Sequence, residues 1–339
     1  MTVDMPAAGV SDVHERGRRG LPTIMLVPLA GATWWLIGFL WWIVDLFGSN
    51  IMTTNGYSRA ALPLLAASST DALIVGAVVG GVLAGFVGLL GRGRRIARLG
   101  AVVAGVALAL AVALVQSRAA FAGGGVDGQA TDPRITGGLS VLVAGVTVLA
   151  VLLGTASLAG RPGLGLALAA AAGAVPLWLF QVVSRASRAA AFSGSIDEPA
   201  RWAGAAVLAV ALVLIGVRPL ARLAYWPAAV LLAWVVAPSV TASGYFAMSL
   251  SRGPRSAAFV GDYLSAAAQV WRQAVEPGQR PLAPWIAAIV VAVVLAWVLD
   301  RRRPGGDPSD GAPADTGPPT LVSEPADRSA PGTTPASWP

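Results

Sequence analysis

The chain has 339 residues, of which 55% are hydrophobic and only 12% are charged. Soluble domains carry about 25% charged residues, so this composition excludes an ordinary water-soluble fold. The sequence contains no cysteine, which excludes disulfides, thiolate catalysis and cysteine-ligated metal sites. A net charge of +7 could indicate a nucleic-acid partner. However, the arginines cluster at the ends of apolar blocks, and this distribution indicates membrane topology instead.

Long apolar blocks recur along the chain, with the length needed to cross a bilayer core of about 30 Å. The sequence therefore predicts an all-α fold, a polytopic integral membrane bundle with about eight transmembrane helices. The predicted spans are residues 24–47, 71–90, 99–116, 139–159, 164–183, 200–217, 226–248 and 282–299. The sixth and eighth spans are among the shortest, at 18 residues each, and the predicted number depends on whether both insert.

Arginine placement predicts the orientation of these spans. The short connections after the second, fourth and sixth spans carry arginines and no acidic residue, which places both termini in the cytoplasm. Residues 1–20 then form a cytoplasmic N-terminal segment and residues 21–300 the transmembrane domain, with longer outer loops near 48–70, 117–138, 184–199 and 249–281. Residues 301–339 form a Pro-rich cytoplasmic tail whose composition predicts disorder. This organisation is typical of a multi-pass protein of the bacterial plasma membrane.

A short pattern returns after alternate predicted spans. Residues 184–194 and 251–261 begin 67 residues apart and agree at seven of eleven positions. A shorter form begins at Ser117, again 67 residues earlier, and a weaker one begins at Ser58. The period predicts four copies of a two-helix unit. Such parallel repeats occur in transporters, where related helices surround a central path, but they also arise from plain duplication.

The outer arginines that belong to this pattern are the candidate anion-binding set: Arg118, Arg185, Arg188, Arg252 and Arg255. Guanidinium groups suit phosphate, so these side chains would bind an anionic lipid or a lipid-linked phosphate if they met in one outer vestibule. The alternative, which we favour, is that they stabilise helix ends. Cations are favourable after outward-running helices, and acids such as Asp71 are favourable before inward-running ones.

Two further groups predict a helix-packing or partner-binding face. Tryptophans repeat at a spacing of seven in the first span, which keeps both pairs on one helical face: Trp34, Trp35, Trp41 and Trp42. Glycines of the second span form two small-xxx-small faces: Gly76, Gly80, Gly81 and Gly85. Both patterns favour close helix contact, within the chain or with another membrane protein, over recognition of an aromatic substrate.

The seventh span is the best candidate to line a cavity. Pro238 removes a backbone hydrogen bond there, as Pro176 does in the fifth span, and hydroxyl groups follow at Ser239, Thr241 and Ser243. The alternative, which we favour, is a tolerated kink whose hydroxyls bond back to their own helix. In the next outer loop, apolar residues between 259 and 274 recur at helical spacing and predict an amphipathic helix on the outer surface. The alternative for that helix is a lid over a vestibule.

The sequence contains no catalytic or cofactor-binding motif, so we predict no catalytic, cofactor-binding or metal-binding residue. The leading hypothesis is a non-catalytic scaffold or accessory subunit of a bacterial cell envelope. The alternative is a permease or flippase-like carrier of an anionic or lipid-linked substrate, and the third is an outward-facing membrane enzyme acting on such a lipid. The expected partners are the lipid bilayer, other membrane proteins and anionic or lipid-linked phosphate, with no nucleic acid.

Overall fold

The computed structural model describes residues 20–48, 70–122, 133–187, 193–218, 220–252 and 257–301. Within these ranges the chain forms α-helices and no strands. The helices in chain order are α1 Thr23–Gly38, α2 Leu40–Gly48, α3 Thr70–Val87, α4 Arg95–Ala122, α5 Pro133–Thr155, α6 Arg161–Ser187, α7 Ser193–Ile215, α8 Tyr225–Arg252, α9 Ala257–Val275 and α10 Ala283–Arg301. The predicted N-terminal segment, apart from Gly20, and the predicted tail, apart from Arg301, lie outside the described residues.

Six of the described helices are long and apolar enough to cross a membrane. With their flanking turns they cover Thr70–Leu90, Arg95–Ala119, Thr136–Ala159, Arg161–Ala186, Ile196–Ile215 and Leu220–Arg252. These segments correspond to α3 through α8. They make the chain a helical membrane protein, as the composition predicts.

The structure divides the first predicted span into two helices. α1 ends at Gly38 and α2 begins at Leu40, and Phe39 lies between them at φ −107° and ψ 29°. The carbonyl oxygens of Ile37 and Gly38 both accept a hydrogen bond from the indole N–H of Trp178 in α6, each at 3.1 Å. An apolar helix can be interrupted here because a neighbouring helix supplies a donor for the Gly38 carbonyl. α1 and the apolar part of α10, residues 283–299, are shorter than the six spanning helices.

The core is organised around α3, the most buried of the spanning helices. α3 contacts α1, α5 and α6, and α6 in turn packs along α7 and α8. One apolar cluster joins α1, α3, α4 and α5 through residues such as Trp34, Leu73 and Val102. A second cluster joins α6, α7, α8 and α10 through residues such as Leu212 and Ala292. The cavities described below lie beside α8, between its neighbours.

A helix is present where the sequence predicts an amphipathic one, and it lies alongside α8. α9 runs antiparallel to α8, as two hydrogen bonds show. The indole N–H of Trp271 donates to Ser239 Oγ at 3.1 Å, and that of Trp234 donates to the carbonyl of Val275 at 2.9 Å. α9 therefore descends from the C-terminal end of α8 towards its middle. α10 begins at the same level, where the Trp285 ring lies edge-on to Trp234 at 4.9 Å.

Candidate functional site

The structure places the glycine faces of α3 inside the chain's own bundle. A Cβ atom added at Gly80 would overlap the carbonyl oxygen of Trp34, and one at Gly76 would lie 2.7 Å from the Phe39 ring. On the other face, a Cβ at Gly81 would lie 2.6 Å from Ala150 Cβ, and one at Gly85 would overlap the backbone of α5. The absence of side chains thus lets α1 and α5 approach α3 closely, one on each face.

The four tryptophans of the first span also pack within the bundle. Trp34 is 0% exposed and Trp41 is 2% exposed, whereas Trp35 and Trp42 are half-buried against the first apolar cluster. The Trp34 ring meets Phe39 edge-on, and Trp41 meets Trp42 in the same way, with centroid distances of 5.2 and 6.0 Å. The two fully buried rings are covered by this chain, so they offer little surface to another protein.

Three of the five arginines in the candidate anion-binding set can be placed. Arg118, Arg185 and Arg252 are exposed near the C-terminal ends of α4, α6 and α8. The Arg185 guanidinium lies over the Trp41 ring, 5.5 Å from its centroid. Arg188 and Arg255 lie outside the described residues. None of the three placed arginines lines either of the two cavities described next.

The larger cavity lies between α5, α8 and α9 and is called here the α8–α9 cavity. Its volume is about 630 Å³. Its wall is largely apolar and includes Leu139, Leu142, Phe246, Leu250, Leu264 and Ala267. No charged residue is found among the described side chains that line it. The cavity is therefore suited to an apolar molecule.

The polar groups of the α8–α9 cavity are two serines and one indole. Ser239 Oγ donates to the carbonyl of Val235 at 2.8 Å, and Ser243 Oγ donates to the carbonyl of Ser239 at 2.7 Å. Ser239 Oγ also accepts the hydrogen bond from Trp271. Each serine therefore bonds back to α8 through its hydroxyl proton and also lines the cavity, where its oxygen atom can accept a hydrogen bond. With no base or acid beside them in the described wall, the serines offer hydrogen-bond acceptors rather than nucleophiles.

A second, smaller cavity of about 240 Å³ lies on another face of α8 and is called here the α6–α8 cavity. It is enclosed by α6, α7, α8 and the segment 279–285. Two cationic side chains line it, Arg201 from α7 and Arg280 from the connection between α9 and α10. Arg201 also approaches Asp197 at 3.9 Å, and both of these side chains are about half exposed.

Arg280 is held in place by its contacts with α8. Pro238 has no N–H, so the carbonyl of Trp234 lacks its usual partner within the helix. Arg280 Nη1 donates to that carbonyl at 2.8 Å, and the guanidinium lies over the Trp234 ring at 4.9 Å. Partial burial lowers the pKa of Arg280 from its usual value. The group nevertheless stays charged, because an arginine pKa lies so far above neutrality.

Comparison with other proteins gives no further guide to the site. No known protein family, curated protein or solved structure matches this chain. In the described ranges, no group of three or more His, Asp or Glu side chains is arranged to hold a metal ion. The argument for function therefore rests on the two cavities and their walls.

Sequence reasoning pointed to α8 and α9 but missed Arg201 and Arg280. The hydroxyl-rich seventh span and the amphipathic helix indicated the larger cavity, and Ser239 and Ser243 do line it. Arg280 carried a weaker signal. Pro238 implies an unpaired carbonyl at Trp234, and an arginine that follows later in the chain can act as a donor for it.

Proposed function

We propose that this protein is a lipid-binding carrier of the membrane, which takes a lipid or lipid-linked substrate by its apolar chain into the α8–α9 cavity. The observation that carries the proposal is the cavity itself, with its volume of about 630 Å³ and largely apolar wall. This volume falls within the range of about 300–1,000 Å³ that is usual for small-molecule sites.

The position of the cavity favours a lipid over a water-soluble molecule. α5 and α8, which form two of its walls, belong to segments long and apolar enough to cross a membrane, so acyl chains are the nearest apolar molecules. The polar groups in the wall are few and mostly satisfied, and a sugar or nucleotide would lose its hydrogen bonds to water without replacement. An apolar chain has no such cost.

The proposal includes an orientation in the bacterial plasma membrane. α1 and α2 together would form one crossing, and α9 and α10 together another, since α9 ends and α10 begins beside Trp234 in α8. With the six spanning helices this gives eight crossings, with both termini in the cytoplasm according to the arginine bias. The α8–α9 cavity then belongs to the outer half of the protein, because it lies along the C-terminal half of α8. Two features support the repeat proposal. The helices α4, α6 and α8 have similar lengths, at 28, 27 and 28 residues, and each has a Ser-Arg pair near its C-terminal end.

The carrier proposal is better supported than the scaffold hypothesis. That hypothesis relied on the tryptophan and glycine faces and on the predicted disordered tail, of which only Arg301 lies within the described residues. Trp34 and Trp41 are buried within the chain, and Gly80 and Gly85 are in close contact with α1 and α5. The α8–α9 cavity supports the carrier proposal, and the contacts of these four residues within the chain leave less of the tryptophan and glycine faces for a partner.

The test is photo-labelling of the full chain in nanodiscs with a phospholipid that carries a diazirine in its acyl chain. We expect labelled peptides from α8 and α9 around the cavity wall. Ala242→Trp and Ala268→Trp, which place a large ring in the cavity, should reduce this labelling about tenfold. The control is Ala228→Trp, at an exposed position of α8 outside the cavity. Equal labelling of α8 and α9 in all four proteins would disprove the proposal.

A further inference from the structure

Two positively charged side chains line the α6–α8 cavity, and the guanidinium group of one of them, Arg280, is immobilised. Arg201 and Arg280 both line it, and its described wall contains no aspartate or glutamate. Two like charges at the wall of one small cavity repel each other unless an anion or water separates them. Asp197 offsets part of the Arg201 charge, but the described wall itself offers no acidic partner, so a negatively charged occupant would be favoured there.

Arg280 is pre-organised as a donor. One of its N–H groups is used by the Trp234 carbonyl, and the guanidinium is stacked on the Trp234 ring. That ring is in turn fixed by its own hydrogen bond to Val275 and by its edge contact with Trp285. A guanidinium has five N–H donors in a rigid fork. The remaining donors of Arg280 are thus held in a defined orientation at the cavity wall, which reduces the entropy lost when they bind an anion.

Arg201 is available to change partners. Its ion pair with Asp197 is long, at 3.9 Å, and both side chains are about half exposed. Exposed pairs of this kind contribute little to stability. A phosphate held between two guanidinium groups forms shorter, charge-assisted bonds and would compete well with this pair.

We propose that the α6–α8 cavity is a binding site for a phosphate group, held between Arg201 and Arg280. The site is separate from the apolar cavity, because the two share no lining residue and lie on different faces of α8. Gln279, which also lines the cavity, can add an amide donor. The phosphate belongs either to a lipid headgroup or to a small soluble phosphate ester, and both would make the same contacts.

The experiment compares the wild type with Arg201→Gln in nanodiscs made of phosphatidylcholine. Arg201→Gln keeps the Arg280 contact with α8 and should fold normally. One arm titrates inorganic phosphate and glycerol phosphate by calorimetry. The other adds phosphatidic acid to the nanodisc and counts retained lipid by native mass spectrometry. We expect binding in one arm, weakened about tenfold or more by Arg201→Gln. The matched control is Arg272→Gln, at an exposed residue of α9 that lines neither cavity, and this variant should bind as the wild type does.

The outcomes separate the sources and the two proposals. Binding of the soluble probes identifies a soluble phosphate, and retention of phosphatidic acid alone identifies a lipid headgroup. If the wild type and Arg201→Gln behave alike in both arms, the phosphate site is overturned, and Arg280 then serves only to satisfy the Trp234 carbonyl. Diazirine labelling of the α8–α9 cavity should be the same in Arg201→Gln and wild type, so loss of the phosphate site leaves the carrier proposal intact.

Discussion

Arg280 Nη1 lies 2.8 Å from the carbonyl oxygen of Trp234, the carbonyl that Pro238 leaves without an N–H partner in α8. A side chain from the connection after α9 thus completes the hydrogen bonding of a spanning helix. A carbonyl left without a hydrogen-bond donor in an apolar bundle costs free energy. A guanidinium group on a long side chain can supply the donor while it remains protonated.

The first prediction concerns this pair. Arg280→Gln should lower the free energy of unfolding by about 1–3 kcal/mol, because the Trp234 carbonyl loses its donor. In a Pro238→Ala background the helix supplies its own N–H, so the same substitution should cost much less. Thermal unfolding in detergent, applied to the four proteins of this double-mutant cycle, measures the difference as a coupling free energy. A coupling near zero would mean that Arg280 and Pro238 act independently.

The second prediction concerns the close contact of α3 with α5. Gly85→Ala should destabilise the protein by about 1–3 kcal/mol or more, because a Cβ there would overlap the backbone of α5 at Gly154. Gly145→Ala in α5 is the control, since nothing lies within 4 Å of a Cβ at that position. It should be neutral or stabilising by up to about 1 kcal/mol. The check is the midpoint of thermal unfolding together with the monodisperse fraction after detergent extraction.

The third prediction concerns the break between α1 and α2. Trp178→Phe keeps an aromatic ring but removes the N–H that bonds the carbonyls of Ile37 and Gly38, so it should cost about 1–3 kcal/mol. Trp202→Phe, at a ring that is 45% exposed, should change the unfolding midpoint little. Similar midpoints for the two variants would show that the Trp178 hydrogen bonds do not stabilise the break.

The fourth prediction concerns access to the α8–α9 cavity. Trp271→Phe removes the hydrogen bond that ties α9 to Ser239 across the cavity, so it should speed the exchange of a bound lipid severalfold. The measurement is the release of a fluorescent phospholipid from the purified protein into empty nanodiscs. Trp202→Phe serves again as the control. Slower release from Trp271→Phe than from wild type would mean that the indole obstructs the lipid rather than holding α9 closed.

The helices themselves could be predicted because each apolar block is a local property of the sequence. The break at Phe39 could not, since Gly38 and Phe39 sit in an uninterrupted apolar run and the compensating donor, Trp178, lies in another helix. The helix α9 followed from the spacing of its apolar residues. Its position beside α8 involves contacts such as those of Trp271 with Ser239 and of Trp234 with Val275, which no local pattern contains.

The residues of the candidate sites also differ in how much the sequence could predict about them. Repetition identified Arg185 as a residue of interest, but the direction of its side chain over Trp41 is a tertiary property. The glycines of α3 signalled close helix contact through their spacing, and only the structure shows that Gly80 faces α1 and Gly85 faces α5. Arg280 belongs to no repeat, so its contact with α8 becomes visible only when the chain folds.

The Trp178 contact also has a consequence for the order of assembly. α1 leaves the ribosome early, yet the donor for its last carbonyls follows 140 residues after Gly38, in the middle of α6. Until α6 enters the membrane, the Gly38 carbonyl lacks this donor, at a cost of several kcal/mol in an apolar environment. The N-terminal helices of a nascent chain therefore reach their final form only after more than half of the protein has been synthesised, and translation stalled before Trp178 should yield an intermediate that quality-control proteases recognise.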